Sequence, residues 1–190
     1  MIEKNLTFTD DAWVKIKNGV QQLNRAVACT LGPNGKTVIL EDAQGRPHVT
    51  KDGITVAESL LFADPVENLA MSTVRQASKK TALRAGDGTT SSIVVSNAII
   101  ALTQRSRIGN VHIYKKGIHD AKDYVVKLLK KTSKKLNKKD LLAVASLSAN
   151  NDESIGKLIA ESYDKVGKDG VVAVELSLIH ISEPTRRKHI

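Results

Sequence analysis

Two long helical patterns meet at Gly86-Asp87-Gly88-Thr89-Thr90-Ser91, the stretch that most constrains the fold and the function of this chain. Its glycines allow the backbone to approach a ligand closely. The hydroxyl side chains follow where the second helix begins, and a helix N-terminus presents unpaired N–H groups that favour phosphate. Asp87 would repel bare phosphate, so its presence favours a Mg²⁺ ion between carboxylate and phosphate oxygens. The alternative is a helix cap made by Asp87 or Thr89.

Two earlier turns carry groups suited to the same chemistry, Thr30-Leu31-Gly32-Pro33 and Lys51-Asp52-Gly53. In the second turn, an ammonium group could neutralise phosphate charge, and the neighbouring carboxylate could orient an attacking water. Each of these sequences, taken alone, is also common in turns that simply connect two secondary-structure elements. The chain lacks the usual P-loop and dinucleotide-loop patterns, so spacing alone indicates only a phosphate and Mg²⁺ site.

Outward from these turns, apolar residues recur at steps of three and four, which predicts amphipathic helices. The first helix is expected to be capped by Thr9, and its apolar face contains Trp13, Ile16, Val20, Leu23 and Val27. Asp64-Pro65 predicts the start of another helix, whose buried side is expected to contain Val66, Leu69, Ala70, Val74 and Ala77. Between these helices, residues 37–40 and 48–50 predict a β-hairpin.

Further along the chain, residues 89–102 are apolar on nearly all sides, which predicts a helix buried at the centre of a domain. A third long amphipathic helix is expected to contain Ile113, Ile118, Ala121, Val125, Leu128 and Leu129. A short apolar stretch follows at residues 141–147. The capping cluster Asn150-Asn151-Asp152 then predicts another helix start, and residues 171–174 predict a strand.

The composition favours a helical, cytoplasmic protein. Of 190 residues, 41% are hydrophobic but only 3% are aromatic, so the core must be aliphatic. No apolar run is long enough to span a membrane, and the N-terminus lacks the apolar core of a signal peptide. The single cysteine, Cys29, excludes an internal disulfide and a cysteine-rich zinc site, and we expect it to be buried. The five histidines show no metal-ligand spacing.

The formal net charge is +9, and residues 127–139 contain seven lysines and no acid. Such a patch could attract nucleic acid. A solvated helix face is the favoured interpretation, because no aromatic or arginine residue is interleaved to stack on bases. Nucleic acid is therefore not expected as a partner.

Taken together, the three turns, in this order and separation, resemble the N-terminal signatures of the group I (GroEL-type) chaperonins. The matching segments are Thr30-Leu31-Gly32-Pro33-Asn34-Gly35, Thr50-Lys51-Asp52-Gly53-Ile54-Thr55-Val56-Ala57 and Ala85-Gly86-Asp87-Gly88-Thr89-Thr90. Later matches are Ser148-Ala149-Asn150-Asn151-Asp152, Gly156-Lys157-Leu158-Ile159-Ala160 and Asp164-Lys165-Val166-Gly167-Lys168-Asp169-Gly170-Val171. The resemblance covers residues 8–175. Ser91, where the family usually has threonine, and the basic net charge are departures from it.

The resemblance implies a mainly helical fold with a small β-hairpin. Residues 1–134 would form the N-terminal half of the equatorial, ATP-binding domain, and residues 135–175 the first segment of the intermediate domain. The apical domain and the C-terminal half of the family are absent from this sequence. Residues 176–190 resemble nothing in the family, so we expect this tail to be disordered or an artificial end, such as a frameshift.

The resemblance also implies ATP and Mg²⁺ as cofactors and gives roles to residues of the three turns. The residues that would line the nucleotide are Thr30, Leu31, Gly32 and Pro33, with Lys51 beside the phosphates. Asp87 would hold Mg²⁺, and the groups that would bind phosphate oxygens are Gly88, Thr89, Thr90 and Ser91. Asp52 would be the catalytic residue that positions the hydrolytic water.

Three functions from different classes stay open at this point. The first is an ATP-hydrolysing chaperonin subunit that acts in a homo-oligomeric ring, with a co-chaperonin, on unfolded polypeptides; the isolated chain would be nearly inactive. The second is a truncated, non-catalytic module that docks on a chaperonin ring or another partner. The third is a basic nucleic-acid-binding protein acting through residues 127–139, for which only charge speaks.

Overall fold

The computed structural model describes residues 6–42, 44–105, 109–149 and 151–167. Within these ranges the chain is mainly helical, with a single two-stranded sheet. The elements are α1 (Thr9–Ala28), β1 (Val38–Glu41), β2 (Pro47–Thr50), α2 (Gly53–Ser59), α3 (Pro65–Ala85), α4 (Thr89–Arg105), α5 (Val111–Thr132), α6 (Lys138–Ser148) and α7 (Glu153–Val166). The predicted fold class is therefore confirmed. None of these helices combines the length and apolar character needed to cross a bilayer.

The chain divides into two compact units, Met1–Lys116 and Gly117–Ile190. The first unit contains the hairpin, the helices α1 to α4 and the beginning of α5. The second contains the remainder of α5 together with α6 and α7. All three glycine-bearing turns lie in the first unit, so the candidate site can be described within it.

The core of the first unit is aliphatic, as the composition predicts. The buried hydrophobic side chains are Val20, Leu23 and Val27 of α1, Val56 and Ala57 of α2, Met71 and Val74 of α3, and Ile93 of α4. Helix α1 packs on α3 and α4, which also contact each other. The α1–α3 crossing is close, because a Cβ added to Gly19 would overlap the main chain of Glu67. These contacts fix the helix ends from which the candidate site is built.

Local sequence signals account for several element boundaries. Asp64 caps α3 as predicted, accepting hydrogen bonds from the backbone N–H groups of Val66 (2.8 Å) and Glu67 (3.1 Å). The predicted hairpin is confirmed as an antiparallel pair, with Val38 opposite Thr50 and Glu41 opposite Pro47. The predicted Thr9 cap is wrong. Thr9 is the first residue of α1 and Phe8 stands at the N-cap, where no side chain caps the helix; the Thr9 hydroxyl instead donates to the Phe8 carbonyl at 2.8 Å.

Three burial predictions are wrong. Leu69 and Ala77 are exposed, because α3 turns Met71, Val74 and Ser78 towards the core instead. Helix α4 is covered on one side only: Ile93 is buried, whereas Val95 and Leu102 are 57% and 58% exposed. Cys29 is exposed because it lies just past the last turn of α1, where its thiol donates to the Ala26 carbonyl at 3.0 Å.

In the second unit, α6 and α7 pack against each other. Their contact is close, since a Cβ added to Gly156 would overlap Ser146. Asn137 and Asp140 form a capping box at the start of α6, and Asp152 caps α7, as the Asn150-Asn151-Asp152 cluster predicts. No residue of α5 is buried, so the predicted apolar face of this helix is exposed within the described ranges. The strand predicted at residues 171–174 and the tail at 176–190 lie outside the described residues.

Candidate functional site

The chain reverses between α3 and α4 through two glycines in the left-handed region. Gly86 has φ 77° and ends α3, with its N–H donating to the Ala82 carbonyl at 2.8 Å; Gly88 has φ 89°. A side chain at either position would be strained. The space around Gly86 is open, and the nearest atom to a Cβ on Gly88 would be a Thr81 methyl carbon at 3.6 Å. The turn therefore leaves Gly86 and Asp87 exposed just before α4 begins.

The first turn of α4 has unpaired backbone donors. The first helical hydrogen bond runs from Ser92 N–H to the Gly88 carbonyl (2.9 Å), so the N–H groups of Thr89, Thr90 and Ser91 have no helical acceptor. No side chain in the described ranges accepts from them either. Asp87 accepts from Gly88 N–H at 2.5 Å and caps none of these groups. The structure therefore does not contain the alternative helix cap, and the N–H groups of Thr89, Thr90 and Ser91 are left for an anion to bind.

Hydroxyl groups fix this turn to the preceding helix. The buried Ser78 hydroxyl donates to the Thr89 carbonyl at 2.9 Å, and the Ser92 hydroxyl donates to Thr81 Oγ1 at 2.9 Å. Ser78 and Thr89 are 4% and 7% exposed. Both bonds join α3 to the first turn of α4, so they hold the glycine turn from either side. The sequence carries no signal that would have identified Ser78 or Thr81 in this role.

Asp52 begins a short helix that the sequence analysis missed. Its carboxylate caps α2, accepting from Ile54 N–H (3.2 Å), Thr55 N–H (3.0 Å) and the Thr55 hydroxyl (2.6 Å). Partial burial acts to raise the pKa of the Asp52 carboxyl, but these hydrogen bonds outweigh it and hold the pKa below its ordinary value. Asp52 is therefore an ionised acceptor at neutral pH. An aspartate immediately before an apolar stretch can mark a helix start, but Asp52-Gly53 matches a plain turn equally well.

The three turns meet at Gly53. This glycine is buried, and a Cβ added to it would overlap the Thr90 hydroxyl of the third turn. The same Cβ would lie 3.2 Å from the Thr30 hydroxyl of the first turn and 3.1 Å from Val27. Only a glycine lets the α2 start lie this close to both hydroxyl side chains. The candidate residues Thr30 and Thr90, separated widely in sequence, are thus brought together beside Asp52.

The first turn is built by its own backbone. The Thr30 hydroxyl donates to the Val27 carbonyl at 2.8 Å. Gly32 has φ 82°, and its carbonyl accepts from Gly35 N–H at 2.9 Å. A Cβ on Gly35 would overlap the Thr30 carbonyl, so this glycine also permits a close approach. The exposed residues of this turn are Leu31, Gly32 and Pro33.

The remaining polar candidates are exposed and do not connect one turn to another among the described residues. Lys51, Asp87 and Ser91 are exposed, and within the described part of the chain no hydrogen bond or ion pair links them to another turn. Among the described residues, no three His, Cys, Asp or Glu side chains could hold a metal by themselves. A Mg²⁺ ion held by Asp87 would take its other oxygens from phosphate and water, which is how Mg²⁺ is bound at most nucleotide sites. The donor set therefore fits Mg²⁺ with phosphate.

Comparisons with known proteins agree on one family. Residues 23–187 match the profile of the TCP-1/cpn60 chaperonin family. Two crystal forms of the chaperonin gp146 from bacteriophage EL 2 (Pseudomonas aeruginosa), in the presence of ATP-BeFx, are similar to this chain at 31% identity with TM-scores of 0.72 and 0.73. They cover 82% and 83% of this chain. A group III chaperonin in the open state is similar at 26% identity, over 82% of the chain, with a TM-score of 0.68.

The chain spans only part of these structures, 28% of the phage chaperonin and 32% of the group III chaperonin. The match to the family profile nevertheless extends over residues 23–187, a range that includes all three turns. On these grounds the chain belongs to the TCP-1/cpn60 chaperonin family.

Proposed function

We propose that this chain is the N-terminal part of a chaperonin subunit that binds Mg²⁺-ATP and hydrolyses it to drive protein folding. The observation that carries the proposal is the contact of Gly53 with the Thr30 and Thr90 side chains, which brings three separate turns to one place. Unpaired N–H groups at the start of α4 suit a phosphate, and the exposed Asp87 carboxylate suits Mg²⁺. The presence of ATP-BeFx with the phage chaperonin further supports a nucleotide here.

In this proposal the residues act in groups. The nucleotide would be lined by Thr30, Leu31, Gly32 and Pro33, and its phosphates would be bound by Lys51, Gly88, Thr89, Thr90 and Ser91. For Thr89, which is buried, the contributing group would be the backbone N–H. Asp87 would hold the Mg²⁺ ion, which supplies positive charge at the phosphates. Asp52, kept ionised by its hydrogen bonds, would orient the attacking water through its carboxylate.

The wider assignment follows from the sequence motifs. We propose that residues 1–134 belong to an equatorial domain and residues 135–175 to an intermediate domain of a group I type subunit. The full subunit would form a cytoplasmic homo-oligomeric ring that acts with a co-chaperonin on unfolded polypeptides. The 190-residue chain alone would turn over little ATP.

A second candidate function is a non-catalytic module that docks on a chaperonin ring. The observation that favours it is apolar surface in the first unit, where Val95 and Leu102 of α4 are more than half exposed. Exposed apolar surface of this kind promotes association. Co-purification of this truncated chain with a chaperonin ring, without ATPase activity of its own, would select this function.

The test uses the complete subunit that contains this chain. Asp87→Ala should reduce Mg²⁺-dependent ATP hydrolysis by about 100-fold or more, because it removes the proposed metal ligand. Asp120→Ala is the matched control, since Asp120 is an exposed carboxylate on α5. Asp52→Ala should reduce hydrolysis while nucleotide binding persists. Unchanged hydrolysis in Asp87→Ala, or equal losses in Asp87→Ala and Asp120→Ala, would contradict the proposal.

A further inference from the structure

Arg75 of α3 reaches the carboxyl end of α2. Its Nη1 nitrogen donates to the carbonyl oxygens of Ala57 (3.2 Å), Glu58 (3.4 Å) and Leu60 (3.4 Å). Its Nη2 nitrogen lies 3.4 Å from the Ser72 hydroxyl of its own helix, so the guanidinium is held from both sides. Arg75 is half-buried, so these bonds are only partly screened by water.

These carbonyls need a donor from outside α2. The last turn of a helix has carbonyl groups without helical partners, and a cation there also faces the negative end of the helix dipole. Helix α2 has only seven residues, with no basic residue in its last turn, and Leu60 after it is already extended. Arg75 therefore supplies the group that stabilises this end of α2.

The opposite end of α2 carries the candidate catalytic group. Asp52 caps the helix, and Gly53 lies against Thr90 and Thr30. A seven-residue helix is only about 10 Å long, or roughly two turns, so losing the hydrogen bonds at its carboxyl end would loosen the short helix that carries the Asp52 cap. Arg75 thus contacts the end of α2 that lies opposite the Asp52 carboxylate.

We propose that Arg75 is a positioning residue for ATP hydrolysis. It holds α2 so that the Asp52 carboxylate keeps its position relative to the first and third turns. This inference rests on the proposed function. The inference extends the proposed function by assigning a role to a residue outside the three turns. The residue determines the geometry of the catalytic carboxylate and makes no contact with the nucleotide.

The same pair of helices offers a matched control. Lys79 of α3 forms an ion pair with Glu58 of α2 at 2.8 Å, and both side chains are about half exposed. Lys79 thus contacts a side chain of α2, whereas Arg75 contacts the backbone carbonyls at the end of that helix. Lys79→Met therefore removes a charged α3–α2 contact without releasing the end of the helix.

The experiment compares Arg75→Met, Arg75→Lys and Lys79→Met in the complete subunit. Arg75→Met should lower kcat about tenfold or more, with the Kd for a non-hydrolysable ATP analogue changed less than about threefold, since misplaced catalytic groups affect the chemical step. Arg75→Lys keeps a cation and should recover part of the rate. Lys79→Met should stay within about twofold of the unmodified subunit.

A second measurement does not depend on nucleotide. Hydrogen exchange at the amides of Ile54 and Thr55, which Asp52 caps, should be faster in Arg75→Met than in Lys79→Met. If exchange and kcat are the same in both variants, the positioning role is wrong. If the unmodified subunit hydrolyses no ATP, the proposed function fails, and faster exchange would then support only the hold of Arg75 on α2.

Discussion

Gly53 lies so close to the Thr90 hydroxyl that there is no room for a Cβ between them. The contact joins the first residue of α2 to the first turn of α4, and Thr30, two residues past the end of α1, lies at the same point. Each helix could form from its local sequence, but their mutual approach depends on a missing side chain at position 53. The relative placement of the candidate catalytic and phosphate-binding groups therefore depends on one glycine.

Gly53→Ala should destabilise the protein by about 1–2 kcal/mol, because the added methyl group overpacks this junction. Urea unfolding monitored by circular dichroism would measure the change. Thr90→Ala removes the overlapping hydroxyl, so the double variant should recover part of the loss, which a double-mutant cycle would detect. Strictly additive effects of the two substitutions would show that Gly53 and Thr90 do not interact.

Ser78→Ala should cost about 1 kcal/mol in unfolding free energy, because a buried hydroxyl that donates to the Thr89 carbonyl is lost. Thr73→Ala is the control: Thr73 is exposed on the same helix, and its hydroxyl bonds only to the Leu69 carbonyl of that helix. We expect the control to stay within about 0.5 kcal/mol. Equal stability of the two variants would contradict the role given to Ser78.

The loss of folding stability at acidic pH should depend on Asp64. The Lys15 ammonium, 2.8 Å away, and the backbone N–H groups of α3 lower the pKa of the Asp64 carboxyl. A lowered folded-state pKa contributes stability above the unfolded value of about 4, and this contribution is lost as the pH falls through the folded pKa. Asp64→Asn keeps a capping oxygen but does not titrate, so its melting temperature should fall less than the unmodified protein's on acidification.

The loss of folding stability at basic pH provides the complementary test. Asp64 raises the pKa of the Lys15 ammonium, so the contribution of Lys15 is present at neutral pH and is lost as the pH rises through its folded pKa. Added salt should reduce the pH-dependent change in stability at both acidic and basic pH, because the Lys15–Asp64 pair is partly exposed. Identical pH profiles for Asp64→Asn and the unmodified protein would exclude the Lys15–Asp64 interaction as a determinant of stability.

Two helical glycines of the second unit should respond oppositely to alanine. A Cβ on Gly156 would overlap the backbone of Ser146, so Gly156→Ala should destabilise the α6–α7 pair by about 2–3 kcal/mol. Gly117 in α5 has open space around it, so Gly117→Ala should stabilise by about 0.5–1 kcal/mol through helix propensity. Thermal unfolding of both variants checks this, and shifts of the same sign would refute it.

Sequence signals predicted those parts of the fold whose causes are local. The Asp64-Pro65 start of α3, the Asp152 cap of α7 and the hairpin each follow from a few neighbouring residues, and the structure confirms them. Helix α2 was missed because Asp52-Gly53 also matches a plain turn. Its cap becomes visible only when the Asp52 side chain is seen to accept from Ile54 and Thr55.

Which side chains are buried depends on the neighbouring helices, and the sequence does not show which helices pack together. Periodicity placed Leu69 on the inner face of α3, yet it is 69% exposed, while Ser78 is buried. The contacts of α3 with α1 and α4, including the close approach of Gly19 to Glu67, determine which residues of α3 are covered. The candidate site shows the same division: its residue types were visible in the sequence, whereas the Gly53 junction and the Ser78 bond were not.

The position of Cys29 has a practical consequence. It is the only cysteine in the sequence, it is exposed, and it directly precedes the first of the three turns. On this 190-residue chain, a maleimide fluorophore would therefore label this one place without prior mutagenesis. Its emission would report on the neighbourhood of Thr30 as magnesium and nucleotide are added, giving an optical titration on the unmodified sequence.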